Sequence, residues 1–150
     1  ATRESVRLAP WYWGQRTLLA SYALAGVHLD NALRNLRVLA RQAALALDRE
    51  EPVPAAIPAA MAHLAQAMGE LGEVLAGEAD PAKVCEILLT AVEETVGVTA
   101  SEVASGTPAG LFNAPMIVQI RLSVADLLQS KGMSSNEAAA AIRSIGDRVA

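Results

Sequence analysis

The chain has one cysteine, Cys85, so it lacks a second thiol for an intramolecular disulfide and the thiolates for a metal cluster. Aromatic residues make up only 3% of it, and β-branched residues are too few for a sheet protein. No secretory signal is recognisable, because the first residues are charged. The two longest uncharged stretches, 52–69 and 103–120, are interrupted by prolines, which excludes a membrane-spanning helix there.

Alanine and leucine dominate what is present, and both are strong helix formers. At 150 residues, one domain is the natural expectation. The sequence predicts an all-α fold, an up-and-down antiparallel bundle of four to five helices in which the first helix is unusually long. The span 1–150 is expected to be a single helical-bundle domain.

The first helix is predicted to begin near Trp11–Arg16 and to end near Arg49, a length of roughly 50 Å. Apolar residues follow a seven-residue rhythm on the face predicted to be buried: Leu19, Tyr22, Gly26, Leu29, Leu33, Leu36, Ala40, Ala43 and Leu47. We expect Ser21, His28, Asn35 and Gln42, which also recur every seven residues, to lie on the opposite, polar side.

The other helices are predicted at about 57–76, 81–104 and 115–130, with a short fifth helix after a turn at 131–137. Asp80 before Pro81 is typical of a helix N-cap, and Asn113 is predicted to cap the fourth helix. Ser134 and Glu137 have the spacing of a capping box. Short connections between these helices favour antiparallel neighbours.

Catalytic and metal-binding patterns are missing from the sequence. His28 and His63 are its only histidines, and neither has a Glu or His at helical spacing. No Gly-x-Ser-x-Gly elbow is present, and the glycines of 105–110 lack the lysine of a phosphate-binding loop. We therefore expect no catalytic residue, no metal and no cofactor, and we predict that the chain is not an enzyme.

Positive charge is concentrated at the N-terminal end. Residues 1–49 carry a net charge of +4 and residues 50–150 a net charge of −8, an acidic balance that argues against a nucleic-acid partner. Arg34, Arg37 and Arg41 share one side of the first helix and could clamp a carboxylate or phosphate. The favoured alternative is pairing with acidic residues of helices two and three, namely Glu70, Glu73, Glu86 or Glu93.

Trp11, Tyr12 and Trp13 are three of the five aromatic residues and stand beside the start of the first helix. Such a group is typical of an anchor at a membrane surface. A hydrophobic cap over the end of the bundle explains it equally well.

The stretch LDNALRNLRVLAR (29–41) and the proline-marked break that follows it carry a resemblance over about residues 16–76. This part resembles the soluble helical region of actinobacterial membrane proteins of the fusaric acid resistance, or aromatic acid exporter, family. The resemblance implies that transmembrane spans lie elsewhere in the polypeptide and that this portion is on the cytoplasmic side of the cell membrane. That family exports aromatic carboxylic acids and offers no catalytic residue to carry over.

These features predict a non-catalytic accessory domain of an exporter-like membrane protein, acting in assembly or regulation. Its expected partners are the transmembrane part of the same polypeptide, the membrane surface near the N-terminus, and a second copy packed on the leftover apolar face at Leu24, Val38 and Leu45. The alternative is a ligand-sensing bundle that binds an anionic aromatic compound through Arg34, Arg37 or Arg41.

Overall fold

The computed structural model describes the backbone of residues 10–76, 78, 80–105 and 112–149, and the side chains of 22–74, 78, 80–98 and 112–148. That part of the chain contains five α-helices and no strand. The helices are α1 (Pro10–Asp48), α2 (Ala56–Ala76), α3 (Pro81–Ser105), α4 (Asn113–Ser130) and α5 (Ser135–Val149). The prediction of an all-α bundle with a long first helix is confirmed.

Local capping chemistry sets the start of two helices where the sequence predicted it. An Asp80 carboxylate oxygen accepts a hydrogen bond of 2.9 Å from the Ala82 N–H. The Ser134 N–H donates to Glu137 Oε2 at 2.8 Å, and the Glu137 N–H donates back to Ser134 Oγ at 3.3 Å. This reciprocal pair is the predicted capping box, and it satisfies two N–H groups that have no partner inside the helix.

The predicted cap of α4 is wrong. Asn113 lies inside the helix, and Phe112 is the N-cap without any side-chain hydrogen bond. The Asn113 side chain is instead 4% exposed and donates from Nδ2 to the Pro52 carbonyl at 3.3 Å. This residue therefore ties the start of α4 to the connection between α1 and α2.

The C-terminal end of α1 closes in a Schellman geometry built on glutamate. The Glu51 N–H donates to the Ala46 carbonyl at 2.9 Å, and the Glu50 N–H donates to Leu47 at 3.1 Å. Glu50 consequently has a φ of 55°, in the left-handed region that a side chain disfavours. Gly132 occupies the same place after α4, with a φ of 95°.

The central element of the bundle is α4, which contacts each of the other four helices. Six of its apolar side chains are almost fully buried, and they are Met116, Ile117, Ile120, Val124, Leu127 and Leu128. Lys131 at its end donates to the Pro81 carbonyl at the start of α3, so these two helices run antiparallel. The core residues of α2, α3 and α5 are Ile57, Ala60, Leu64, Ala67 and Leu71 of α2, Val84, Leu88, Ala91, Val92 and Val98 of α3, and Ala138 and Ile145 of α5.

The long helix α1 packs on α4 alone within the described part of the chain, although a short connection links it to α2. Its buried line is Ala32, Leu39 and Ala46, while Leu33 and Leu47 of the predicted stripe are 40% and 73% exposed. The face of α1 that is buried is therefore rotated around the helix axis from the face that the sequence predicted to be buried. Contact with one helix instead of two covers only a narrow strip of α1, so the flank of the apolar stripe stays in solvent.

Candidate functional site

The arginines of α1 lie on its solvent side. Arg34, Arg37 and Arg41 are all exposed, and they fall within about 60° of one another around the helix. Arg34 donates to Asp30 at 3.1 Å, an exposed i,i+4 pair of the favourable order. Arg37 and Arg41 form no ion pair with any described side chain. This side is therefore a basic surface open to an anion.

The favoured pairing of these arginines with acidic residues of α2 and α3 is wrong. Among the described residues, α1 makes no contact with either helix, so those carboxylates are out of reach. Glu70 forms an ion pair with Lys83 of α3 instead. The sequence placed the acidic surplus correctly but paired α1 with the wrong neighbour.

The aromatic residues Trp11, Tyr12 and Trp13 fall in the first turns of α1. Their side chains lie outside the residues whose side chains the structure describes. The choice between a membrane anchor and a cap over the bundle stays a prediction.

A polar seam, defined by His28, Asn35 and Asp126, joins α1 to α4. Asn35 Nδ2 donates to Asp126 Oδ2 at 2.8 Å, and His28 Nδ1 lies 3.9 Å from Asp126 Oδ1. The side chains of His28 and Asp126 are only 20% and 17% exposed. Partial burial raises the pKa of Asp126 above its ordinary value, and this outweighs the opposite effects of His28 and Asn35.

The prediction that His28, Asn35 and Gln42 form the wet side of α1 is wrong, because they turn toward α4. They lie about 40–80° from the buried alanine line, close enough to meet a packed neighbour. A signal for this was present in the sequence. Gln119 and Asp126 are seven residues apart on α4, as Asn35 and Gln42 are on α1, and antiparallel helices bring such pairs into register.

An exposed apolar surface runs along the other flank of α1. We name it the outer face and define it by Leu24, Val27, Val38 and Leu45. These residues fall within about 60° around the helix. Leu24, Val27 and Leu45 are 56%, 58% and 44% exposed, whereas Val38 is half-buried. Exposed Val118 and Leu122 of α4 add to the apolar surface of the bundle. Exposed apolar side chains aligned on one side of a helix are typical of an interaction surface.

A cavity of about 230 Å³ lies between α3, α4 and α5. Its lining residues are Val92, Val96, Arg121, Ile142, Arg143, Gly146 and Asp147. Arg121 Nε is buried and has no hydrogen-bond partner. Sequence reasoning missed this site, because its residues come from three helices and share no local pattern.

No group of three His, Cys, Asp or Glu side chains among the described residues is placed to hold a metal ion. His63 stands 3.8 Å from Glu94, a partly exposed pair on the surface. No helix within the described ranges combines the length and the apolar character needed to cross a membrane.

Comparison with known proteins finds no family model, no curated protein and no solved structure that matches this chain. The resemblance to the exporter family therefore rests on the residues of α1 and α2 that carry it.

Proposed function

We propose that this chain is a non-catalytic accessory domain that acts in assembly or regulation, and that the outer face of α1 packs against α1 of a second copy. The proposal is supported by the location of the exposed apolar side chains. Among the described residues, the large hydrophobic side chains that stay exposed are on α1 and α4 only. Burial of such a surface is the main driving force of association.

A second copy is favoured because the outer face is self-complementary. Leu24 and Leu45 stand near its two ends, and position 35 is close to the midpoint between them along the helix. An antiparallel pairing centred near Asn35 brings Leu24 of one copy close to Leu45 of the other. It also brings Asp30 near Arg41 of the second copy, and twofold symmetry repeats both contacts.

The test is the molar mass in solution, measured by light scattering over about a hundredfold range of concentration. The wild type is expected to form dimers that dissociate on dilution. Leu45→Glu is expected to give a monomer at all concentrations, because it places a carboxylate in the apolar contact. A wild type that stays monomeric at the highest concentration would remove the proposal.

Leu33→Glu is the matched control. Leu33 is the same residue type on the same helix, and its 40% exposure is close to the 44% of Leu45. It lies about 120° away around α1, outside the outer face. Loss of the dimer in both variants would mean that the contact is not specific to the outer face.

The membrane setting is the part of the proposal that depends on the resemblance. In that setting the domain sits on the cytoplasmic side, joined to transmembrane spans of the same polypeptide. Trp11, Tyr12 and Trp13 then stand near the membrane surface, where aromatic side chains are favoured. Sedimentation with anionic vesicles tests this, and Trp11→Ala with Trp13→Ala is expected to weaken binding.

Ligand sensing is the second candidate function, favoured by two arginines that form no ion pair with the described side chains. Arg37 and Arg41 are exposed cations one turn apart, beside Arg34. Calorimetry with a benzoate-like acid tests this function. Binding that is lost in Arg37→Ala would support it, and heats of dilution alone would rule it out.

A further inference from the structure

We infer that the cavity between α3, α4 and α5 binds a small monocarboxylate with a short apolar body, and that the carboxylate pairs with Arg121. This inference is independent of the assembly proposed for α1, since the cavity and the outer face share no residue.

One position on the cavity wall has no side chain. Gly146 is one of the lining residues, and a Cβ built on it meets no atom within 4 Å. The cavity volume of about 230 Å³ exceeds the roughly 150 Å³ of an apolar cavity that accepts benzene. It is smaller than the pockets that hold drug-sized ligands. The occupant is therefore a small molecule, with a body of about six carbon atoms.

The lining divides into an apolar part and a charged part. Val92, Val96 and Ile142 supply branched aliphatic side chains, which suit a hydrocarbon body. Arg121 and Arg143 supply two cations, and Asp147 supplies one anion. The net charge of these groups is +1, which one carboxylate neutralises and a dicarboxylate would overshoot.

Arg121 is the residue that points to an anion. Arg121 lines the cavity, and no described acidic side chain forms an ion pair with it. Asp147 lines the same cavity without pairing with Arg121. A guanidinium without an acidic partner suits a carboxylate, which has the matching planar geometry.

The test is a titration of the intact chain with hexanoate, followed by NMR shifts or calorimetry. Hexanoate is expected to bind with a dissociation constant of about 1 mM or tighter, the range for a ligand of this size. Hexylamine is expected not to bind, because the cations repel it, and acetate is expected to bind at least about tenfold more weakly because it lacks the apolar body. Equal responses to hexanoate and hexylamine would overturn the inference.

Arg121→Met tests the charged partner while keeping an apolar side chain of similar length. Hexanoate affinity is expected to fall by about tenfold or more. Arg148→Met is the matched control, since Arg148 is exposed on α5 and does not line the cavity. Asp147→Asn is expected to tighten binding, because it removes a like charge beside the carboxylate.

Gly146→Leu tests the cavity without changing any charge. The new side chain is expected to fill the space and abolish hexanoate binding, whereas Gly72→Leu is expected to leave it unchanged. Gly72 is a suitable control, because it is an exposed helical glycine on α2 with open space at its Cβ. Thermal melts verify that each variant is folded.

The basic surface of α1 is the competing location for an anion. Replacing Arg34, Arg37 and Arg41 together by Gln is expected to leave hexanoate affinity unchanged. Binding that survives Gly146→Leu and disappears in this triple variant would overturn the inference and favour the basic surface.

Discussion

The two sides of the bundle are built differently although both come from regular apolar spacing. On α3 the buried line includes Val84, Leu88 and Val92, and this helix packs on α2, α4 and α5. On α1 the buried line is Ala32, Leu39 and Ala46, and within the described part of the chain the helix packs on α4 alone. The α1 interface also contains the polar seam. The α3 side is therefore a larger and mainly apolar core, and the α1 side is a thinner and partly polar contact.

Apolar periodicity therefore indicates how much side-chain surface a helix is able to bury. The number of neighbouring helices determines how much of that surface is buried. The outer face of α1 has the residue types of a core position but packs on no helix of the described part of the chain. In the proposed assembly, a second copy supplies the missing neighbour.

The largest expected effect comes from a cavity created in the core around α3. Leu88→Ala is expected to lower the free energy of unfolding by about 3–5 kcal/mol, because Leu88 is fully buried among three neighbouring helices. Leu39→Ala is expected to lower it by about 2–3 kcal/mol, because a helix with one neighbour moves inward more easily. Urea unfolding of the two variants measures both values.

Hydrogen exchange sharpens the same comparison. Leu39→Ala is expected to speed exchange of α1 amides and to leave α3 amides protected, since α1 can open by itself. Leu88→Ala is expected to speed exchange in all helices. Equal acceleration in α1 and α3 in both variants would show that the two sides unfold as one unit.

The next effect compares the C-terminal ends of α1 and α4, which have the same Schellman geometry. Gly132→Ala is expected to destabilise the chain by about 1 kcal/mol, because alanine is strained at a φ of 95°. Glu50→Gly is expected to stabilise it by about 0.5 kcal/mol, because glycine relieves the strain at a φ of 55°. Opposite shifts in the melting temperature would confirm both, and a destabilised Glu50→Gly would show that Glu50 has a compensating contact.

The smallest effect concerns the seam and its dependence on pH. Burial raises the pKa of Asp126, so the folded state takes up this proton more readily than the unfolded state. Its contribution to stability is therefore greatest below the ordinary pKa of 3.8 and is lost as the pH rises through the raised value. Asp126→Asn is expected to stabilise the chain at pH 7 by less than about 1 kcal/mol, because the carboxyl is only partly buried.

The wild type and Asp126→Asn should therefore converge in stability as the pH falls from 7 toward 4. Glu137 changes in the opposite sense, since its hydrogen bonds with Ser134 lower its pKa. Subtracting the free energy of unfolding of one protein from that of the other at each pH cancels the contribution of Glu137. A difference that grows on acidification would contradict the sign assigned to Asp126.

The helices were predictable because their boundaries depend on nearby residues. Asp80 with Pro81, and Ser134 with Glu137, act over three or four positions, so the chain itself specifies where α3 and α5 begin. The buried face of α1 was not predictable in the same way, because it depends on packing against α4, more than 70 residues away. Alanine at positions 32 and 46 also gives a weaker signal than the leucines beside them.

The candidate sites show the same limit. The spacing of Arg34, Arg37 and Arg41 predicted that they share one side of α1. The partners expected for them on α2 and α3 were wrong, because those depend on which helix α1 packs against. The cavity depends on how α5 packs against α3 and α4. A glycine within a helix does not by itself predict a cavity. Arg121 and Gly146 are far apart in the sequence but line the same cavity, and local periodicity cannot predict that they meet.

The distance between spin labels on two copies tests the antiparallel pairing of α1 most directly. In a Cys85→Ser background, a label at Arg34→Cys lies near the proposed centre, and a label at Asp48→Cys lies near one end of α1. The account predicts an inter-copy distance below about 20 Å for the first label and of about 40 Å for the second. Equal short distances, which a parallel pairing gives, or the absence of any coupling between copies, would contradict it.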